Sequence, residues 1–129
     1  MPISVHGNEP DHTIFFMTYE GRWDWEEHFQ AVKKAREFGD GVEHRVDIIV
    51  DALRSENPPL GPALSNITSG IRLQRSPNLG ILVLVTQNPF VRALMTIAPK
   101  VYPGMADTLV LAKTVEEAHT LIAEAKKDG

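Results

Sequence analysis

The chain has 129 residues, 43% of them hydrophobic and 23% charged, with a formal net charge of −4, the balance expected of one globular domain with a single buried core. It contains no cysteine, which excludes disulfides, thiolate metal sites and cysteine nucleophiles and agrees with a reducing, cytoplasmic setting. No apolar run approaches the roughly 20 residues of a membrane span, the first residues lack the basic-then-apolar order of a signal peptide, and an acidic chain without an aromatic–basic stripe argues against nucleic acid.

The charge is unevenly placed. Residues 1–51 carry 5 basic and 11 acidic side chains, whereas residues 52–106 carry Arg54, Arg72, Arg75, Arg92 and Lys100 against Glu56 alone. A cationic middle suits an anionic ligand or an acidic partner surface, and equally suits solvated helix faces.

In chain order, residues 2–6 predict a short strand, Gly7 to Asp11 a turn, and Thr13 to Tyr19 a second strand covered on both faces, so that the two form an antiparallel hairpin. Asp24 caps a helix, with Glu27 completing a capping box. Trp25, Phe29, Val32 and Ala35 form its apolar stripe. Trp23 precedes the cap and has His28, rather than an aliphatic residue, as its staple partner. Gly39-Asp40-Gly41 is expected to end the helix through a left-handed glycine.

His44 to Asp51 reads as a buried strand with a carboxylate at its tip. The stretch from Ala52 to Gly61, interrupted by Asn57-Pro58-Pro59, reads as its trailing loop and the best-placed recognition surface. Gly61-Pro62 opens a second helix, with Leu60, Leu64, Ile67 and Ile71 inward and Ser65, Thr68, Ser69 and Arg72 facing solvent; Ser76-Pro77-Asn78 ends it. Leu79 to Thr86, apolar without alternation, predicts a central strand. Asn88-Pro89 starts a third helix with Val91, Leu94, Met95 and Ala98 inward and Arg92, Thr96 and Lys100 outward. Pro99 should kink or stop it, and Tyr102-Pro103-Gly104 marks its end. Thr108 to Ala112 predicts the last strand. Thr114 to Glu117 then forms a capping box ahead of a helix carrying Ala118, Leu121, Ile122 and Ala125, with Lys126 and Lys127 at its negative end.

The order is therefore β-β-α-β-α-β-α-β-α: an α/β chain with a mixed five-stranded sheet and four helices, its strands parallel after the hairpin. Val46 to Asp51, a short loop, Leu60-Gly61 and a helix, followed by the Leu79–Thr86 and Leu109–Ala112 units, resemble the STAS domains, the anti-sigma-factor antagonist family with the SpoIIAA-like fold. The resemblance covers nearly the whole chain as topology and hydrophobic pattern. Regulatory members of that family carry a phosphorylatable serine just before the glycine that opens the helix. Here Pro59-Leu60 precedes Gly61, and Ser55 stands too early. The resemblance thus implies a non-enzymatic domain that binds a protein partner or ligand, without the serine switch.

Other constellations are incomplete. Asp51, Thr86 and Lys113 at successive strand ends have the residue types of a phosphoryl-accepting receiver, but the first strand end offers only Glu20 where such a site needs an acidic pair. His6, His12, His28, His44 and His119 show no metal-ligand spacing and read as isolated surface or loop histidines. Asp47 and Asp51 share one side of a strand about 13 Å apart, too far for a shared proton. Trp23, Phe90, Tyr102 and Met105, beside Arg54 and Arg92, are the side chains expected to line an apolar pocket with cationic rims. The candidate ligand- or partner-contacting residues are accordingly Trp23, Asp51, Arg54, Ser55, Arg92 and Tyr102, with no catalytic residue, metal or cofactor assigned. The expected function is binding of a protein partner, with a carrier of a small anionic, partly apolar ligand as the alternative and a phosphoryl-accepting module at Asp51 behind it. The apolar N-terminal strands, whose edge needs covering, suggest a homodimer.

Overall fold

The computed structural model describes residues 2–8, 11–59, 61–73, 77–101 and 108–128. Strands β1 (Ile3–Gly7) and β2 (Ile14–Gly21) form the expected antiparallel hairpin, with Val5 opposite Met17. The Asn8 side chain holds the connection by accepting the amides of Thr13 and Ile14, each at 2.8 Å. Helix α1 (Trp25–Asp40) begins at the predicted capping box: Asp24 accepts the Glu27 amide at 2.7 Å and Glu27 accepts that of Asp24. The remaining elements follow in order as β3 (Val46–Ser55), α2 (Ala63–Leu73), β4 (Leu79–Val85), α3 (Pro89–Val101), β5 (Leu109–Ala112) and α4 (Val115–Asp128). The five strands lie in sequence order, and all pairs after the hairpin are parallel.

That order decides the layering. Parallel crossovers are right-handed, so a chain that steps steadily across a sheet leaves its crossover helices on one face. Helices α1, α2 and α3 accordingly cover one face, over Phe15, Met17, Ile48, Leu82 and Leu84. The opposite face, with Ile49, Val83, Val85 and Ala112, is packed by Ala118 and Ile122 of α4. Alternation along β3 follows: Val46 and Ile48 belong to the three-helix face and Ile49 to the α4 face.

One polar group is built into this frame. Asp47 is fully buried and accepts from Arg45 through Nε at 3.0 Å and Nη2 at 2.9 Å, and from the Ile81 amide at 2.9 Å. Lys126 near the end of α4 approaches it to 4.0 Å. A Cβ at position 80 would overlap both the Asp47 carboxylate and the Arg45 guanidinium, so only glycine leaves room for the pair.

Several expectations need correction. Strand β3 continues past Asp51 to Ser55, because a register shift after Thr18 lets Glu20 and Gly21 pair with Arg54 and Ser55. The recognition loop therefore starts at Glu56, not Ala52. Of the two outcomes expected at Pro99, a kink or a stop, the stop does not occur: α3 runs on to Val101, a proline in the last turn costing one hydrogen bond close to the helix end; Tyr102-Pro103-Gly104 lies outside the described residues. Helix α1 leaves through Gly41 in a right-handed conformation, φ −85°. Asn78 replaces the left-handed exit by donating to the carbonyls of Gly39 and Val42. Thr68, expected on the solvent face of α2, is 1% exposed and donates to the Ser65 carbonyl.

Candidate functional site

The site begins with a displaced stripe. On α1 the buried positions are His28, Ala31, Val32, Ala35 and Gly39, while Trp25 and Phe29 are only partly buried. The face predicted from Trp25 and Phe29 is thus rotated so that a histidine points inward, which corrects the reading of His28 as a surface residue. Its position explains the burial: one turn into the helix, the ring lies under Trp23 at a centroid distance of 5.6 Å, the staple contact expected from the sequence.

Below it lies Tyr19, the last buried residue of β2. The Tyr19 hydroxyl and His28 Nδ1 are 2.7 Å apart, with the two residues 4% and 9% exposed. Burial pushes the imidazole down to about 4 and raises the phenol from its ordinary value, so both are neutral near pH 7. His28 Nε2 has no partner, the one such buried side-chain atom among the described residues. It faces Gly70 in the interior of α2, where a Cβ would sit 2.7 Å from it.

This pair stands at the wall of a cavity of about 80 Å³ between the sheet and its three-helix face. Met17, Val50, Leu82 and Leu84 form the floor, Ile67 and Met95 contribute from α2 and α3, and Trp23, Ser55 and Asn88 lie at the strands' carboxyl ends. The volume sets the scale of an occupant. An apolar engineered cavity of ~150 Å³ accepts benzene, and drug-sized pockets run to ~300–1,000 Å³. Here there is room for a slender chain or a small ring.

Of the sequence-derived candidates, the structure brings two together at this cavity. Trp23 Nε1 donates to Ser55 Oγ at 2.8 Å, and Ser55 donates onward to the Glu56 carbonyl at 2.7 Å. The bulge that extends β3 to Ser55 makes this contact. Arg92 is set behind the wall, donating to the carbonyl of Thr86 at 2.9 Å. Arg54 is exposed, 3.9 Å from Glu20, and does not line the cavity. Phe90 is 52% exposed and also stands outside it. The expected cationic rim is therefore not assembled, and the only ionisable side chains on the described lining are Tyr19, His28 and Glu56. Tyr102 and Met105 lie outside the described residues.

Asp51 accepts the Leu53 amide at 3.1 Å, Thr86 accepts that of Asn88 at 3.2 Å, and Lys113 is exposed. The Asp51 and Thr86 side chains are thus each hydrogen-bonded to a nearby backbone amide, two residues further along the chain. No group of three or more His, Asp or Glu side chains suited to a metal ion converges among the described residues. Among those residues, too, no helix is long and apolar enough to cross a membrane.

Periodicity does not reveal the Tyr19–His28 pair, because histidine counts as polar in such an argument. Its signal was the unusual aromatic–histidine staple at Trp23 and His28. At the loops beyond, Asn88 Nδ2 donates to Asn57 Oδ1 at 2.6 Å, tying the β3–α2 and β4–α3 connections together beside the cavity.

Neither a family model nor a curated protein matches the chain. Among solved structures it is similar to an uncharacterised protein of the DUF3478 family from Shewanella loihica PV-4, described as having a SpoIIAA-like fold, with a TM-score of 0.60 over 92% of this chain and 90% of that one. At 11% identity the likeness concerns backbone architecture. Together with the mixed five-stranded sheet and its four helices, it establishes that this chain has a SpoIIAA-like α/β fold.

Proposed function

We propose that the protein is a non-enzymatic binding domain that holds a small, partly apolar molecule, or the slender end of a larger one, in the cavity beneath α1, α2 and α3. The observation that carries this reading is the cavity itself: about 80 Å³ of space between the sheet and its three helices, extending to residues at the carboxyl ends of the strands and walled in part by His28, whose buried Nε2 has no partner. Interiors are normally packed to crystal-like density and buried polar atoms normally paired, so two departures at one place favour an occupant. The absence of arginine and lysine from the described lining favours a neutral occupant over the anionic one expected from composition. Asp51 and Thr86 each accept a local backbone amide, and the first strand end still offers Glu20 alone where a phosphoryl-accepting site needs an acidic pair, so that alternative gains no support.

The test is a thermal-shift screen of small cyclic and linear organic molecules against the wild-type protein and Ala52→Leu, whose larger side chain enters the cavity from β3. Binding to the native state raises Tm with ligand concentration. Stabilisation of the wild type that Ala52→Leu abolishes supports the reading. If no such molecule raises the wild-type Tm, the reading is wrong.

A further inference from the structure

The unpaired nitrogen of His28 has a definite polarity, set by Tyr19. Two arrangements of their short hydrogen bond are chemically possible. If His28 Nδ1–H donates to the phenol oxygen, the phenolic proton has no acceptor and Nε2 presents a lone pair to an apolar wall, leaving two buried groups unmet. If the Tyr19 hydroxyl donates to Nδ1, the phenol is satisfied and a single group remains, the Nε2–H. The second arrangement leaves fewer unmet groups in a low-dielectric site. No carboxylate or lysine is hydrogen-bonded to either ring nitrogen among the described residues, and burial holds the imidazole neutral near pH 7.

Gly70 adds an independent observation. Glycine in a helix interior is unfavourable relative to alanine, yet the alanine Cβ would come within 2.7 Å of Nε2 and 3.3 Å of Val32 Cγ2. The sequence thus accepts a weakened helix and an unpaired N–H at the same contact, and both residues line the cavity.

We propose that His28 Nε2–H is the polar anchor of the site and that its ligand is uncharged, with a hydrogen-bond acceptor such as a carbonyl oxygen on an otherwise apolar body. This rests on the binding reading above. Tyr19 acts as a positioning residue, fixing the tautomer. Gly70 is the point at which α2 eases away from α1 to admit the acceptor, because Nε2 is closed to water in the unliganded state. A carboxylate fits less well: it would enter an apolar cavity whose histidine is neutral and whose one anionic side chain is Glu56.

The experiment titrates three probes of similar size, cyclopentanone, methylcyclopentane and cyclopentanecarboxylate, into the wild type and into Tyr19→Phe/His28→Leu, followed by amide NMR. Comparing the ketone-to-hydrocarbon affinity ratio between the proteins cancels the probes' different hydration. The expected result is a ratio about tenfold higher in the wild type, the worth of one buried hydrogen bond, with the Gly70 amide shifting on ketone binding. Imidazole ¹⁵N shifts of the free wild type should show the Nε2–H tautomer. Equal ratios in the two proteins, tighter binding of the carboxylate than of the ketone, or an Nδ1–H tautomer would each overturn the proposal while leaving a binding cavity in place. If none of the probes binds the wild type, the binding reading fails, and the anchor with it.

Discussion

Acid should weaken this protein through His28 in a manner that a double substitution removes. In the native state burial lowers its pKa to about 4, against an ordinary value of about 6.5 in an unfolded chain. Between these values the unfolded chain binds the proton and the native one does not, so unfolding becomes more favourable as pH falls. The stability associated with the neutral buried ring is complete above pH ~6.5 and is lost progressively down to pH ~4, below which this group makes no further difference. The slope is about 1.4 kcal/mol per pH unit, and the whole excursion amounts to ~3 kcal/mol. That is a large fraction of the ~5–15 kcal/mol typical of a domain. The ring is 9% exposed, so screening by water takes little from this figure. Urea denaturation at closely spaced pH values between 4 and 7.5 measures it. The comparison protein, Tyr19→Phe/His28→Leu, removes both members of the hydrogen bond together and leaves no polar group stranded, so its stability near pH 7 should stay within about 1 kcal/mol of the wild type. Every other titrating group is common to the two proteins and cancels in the difference. If the two stability–pH curves run parallel from pH 6.5 to 4.5, the ring is not neutral and buried, and the account of the site fails.

Removing Asp47 should be the most damaging single change in the frame. Asp47→Ala strands Arg45, partly exposed, and the Ile81 amide, with an expected loss of ~3–5 kcal/mol, whereas Asp47→Asn, whose amide oxygen can still accept from Ile81, should lose clearly less; equal losses by denaturant titration would refute the assigned contacts. Gly80→Ala should cost at least ~2 kcal/mol, because its Cβ meets that same carboxylate and guanidinium, and a wild-type midpoint would show that the strand gives way there. Asp24→Ala should cost about 1 kcal/mol by opening the α1 capping box, and restoring Ser or Asn at that position should recover most of it in a thermal melt.

The sequence by itself determined the element order, the hairpin, the parallel run that follows it and the caps of α1, α3 and α4. These follow from local causes: glycine and proline mark the connections, a side-chain oxygen accepts at a helix start, and apolar residues recur with the period of their element. The SpoIIAA-like architecture was legible for the same reason, since strict strand–helix alternation after a hairpin leaves few arrangements. That Trp23 and Ser55 stand near the carboxyl ends of the strands was also legible.

The tertiary structure alone decided the interior of that site. The continuation of β3 to Ser55 depends on pairing with a bulged β2, which sets Gly21 opposite Ser55, and the Trp23–Ser55 hydrogen bond joins residues 32 positions apart in the chain. The rotation of α1 that buries His28 depends on what packs against it, because a helix with aromatic residues on more than one side can settle in more than one orientation on a sheet. Arg54 and Arg92, expected at the rim of a pocket for an anionic ligand, turn instead toward Glu20 and the Thr86 carbonyl. Charge count along a chain carries no information about direction in space. The neutral Tyr19–His28 pair facing Gly70 joins three elements, and only their packing makes two ordinary polar residues and a helix-interior glycine into one site.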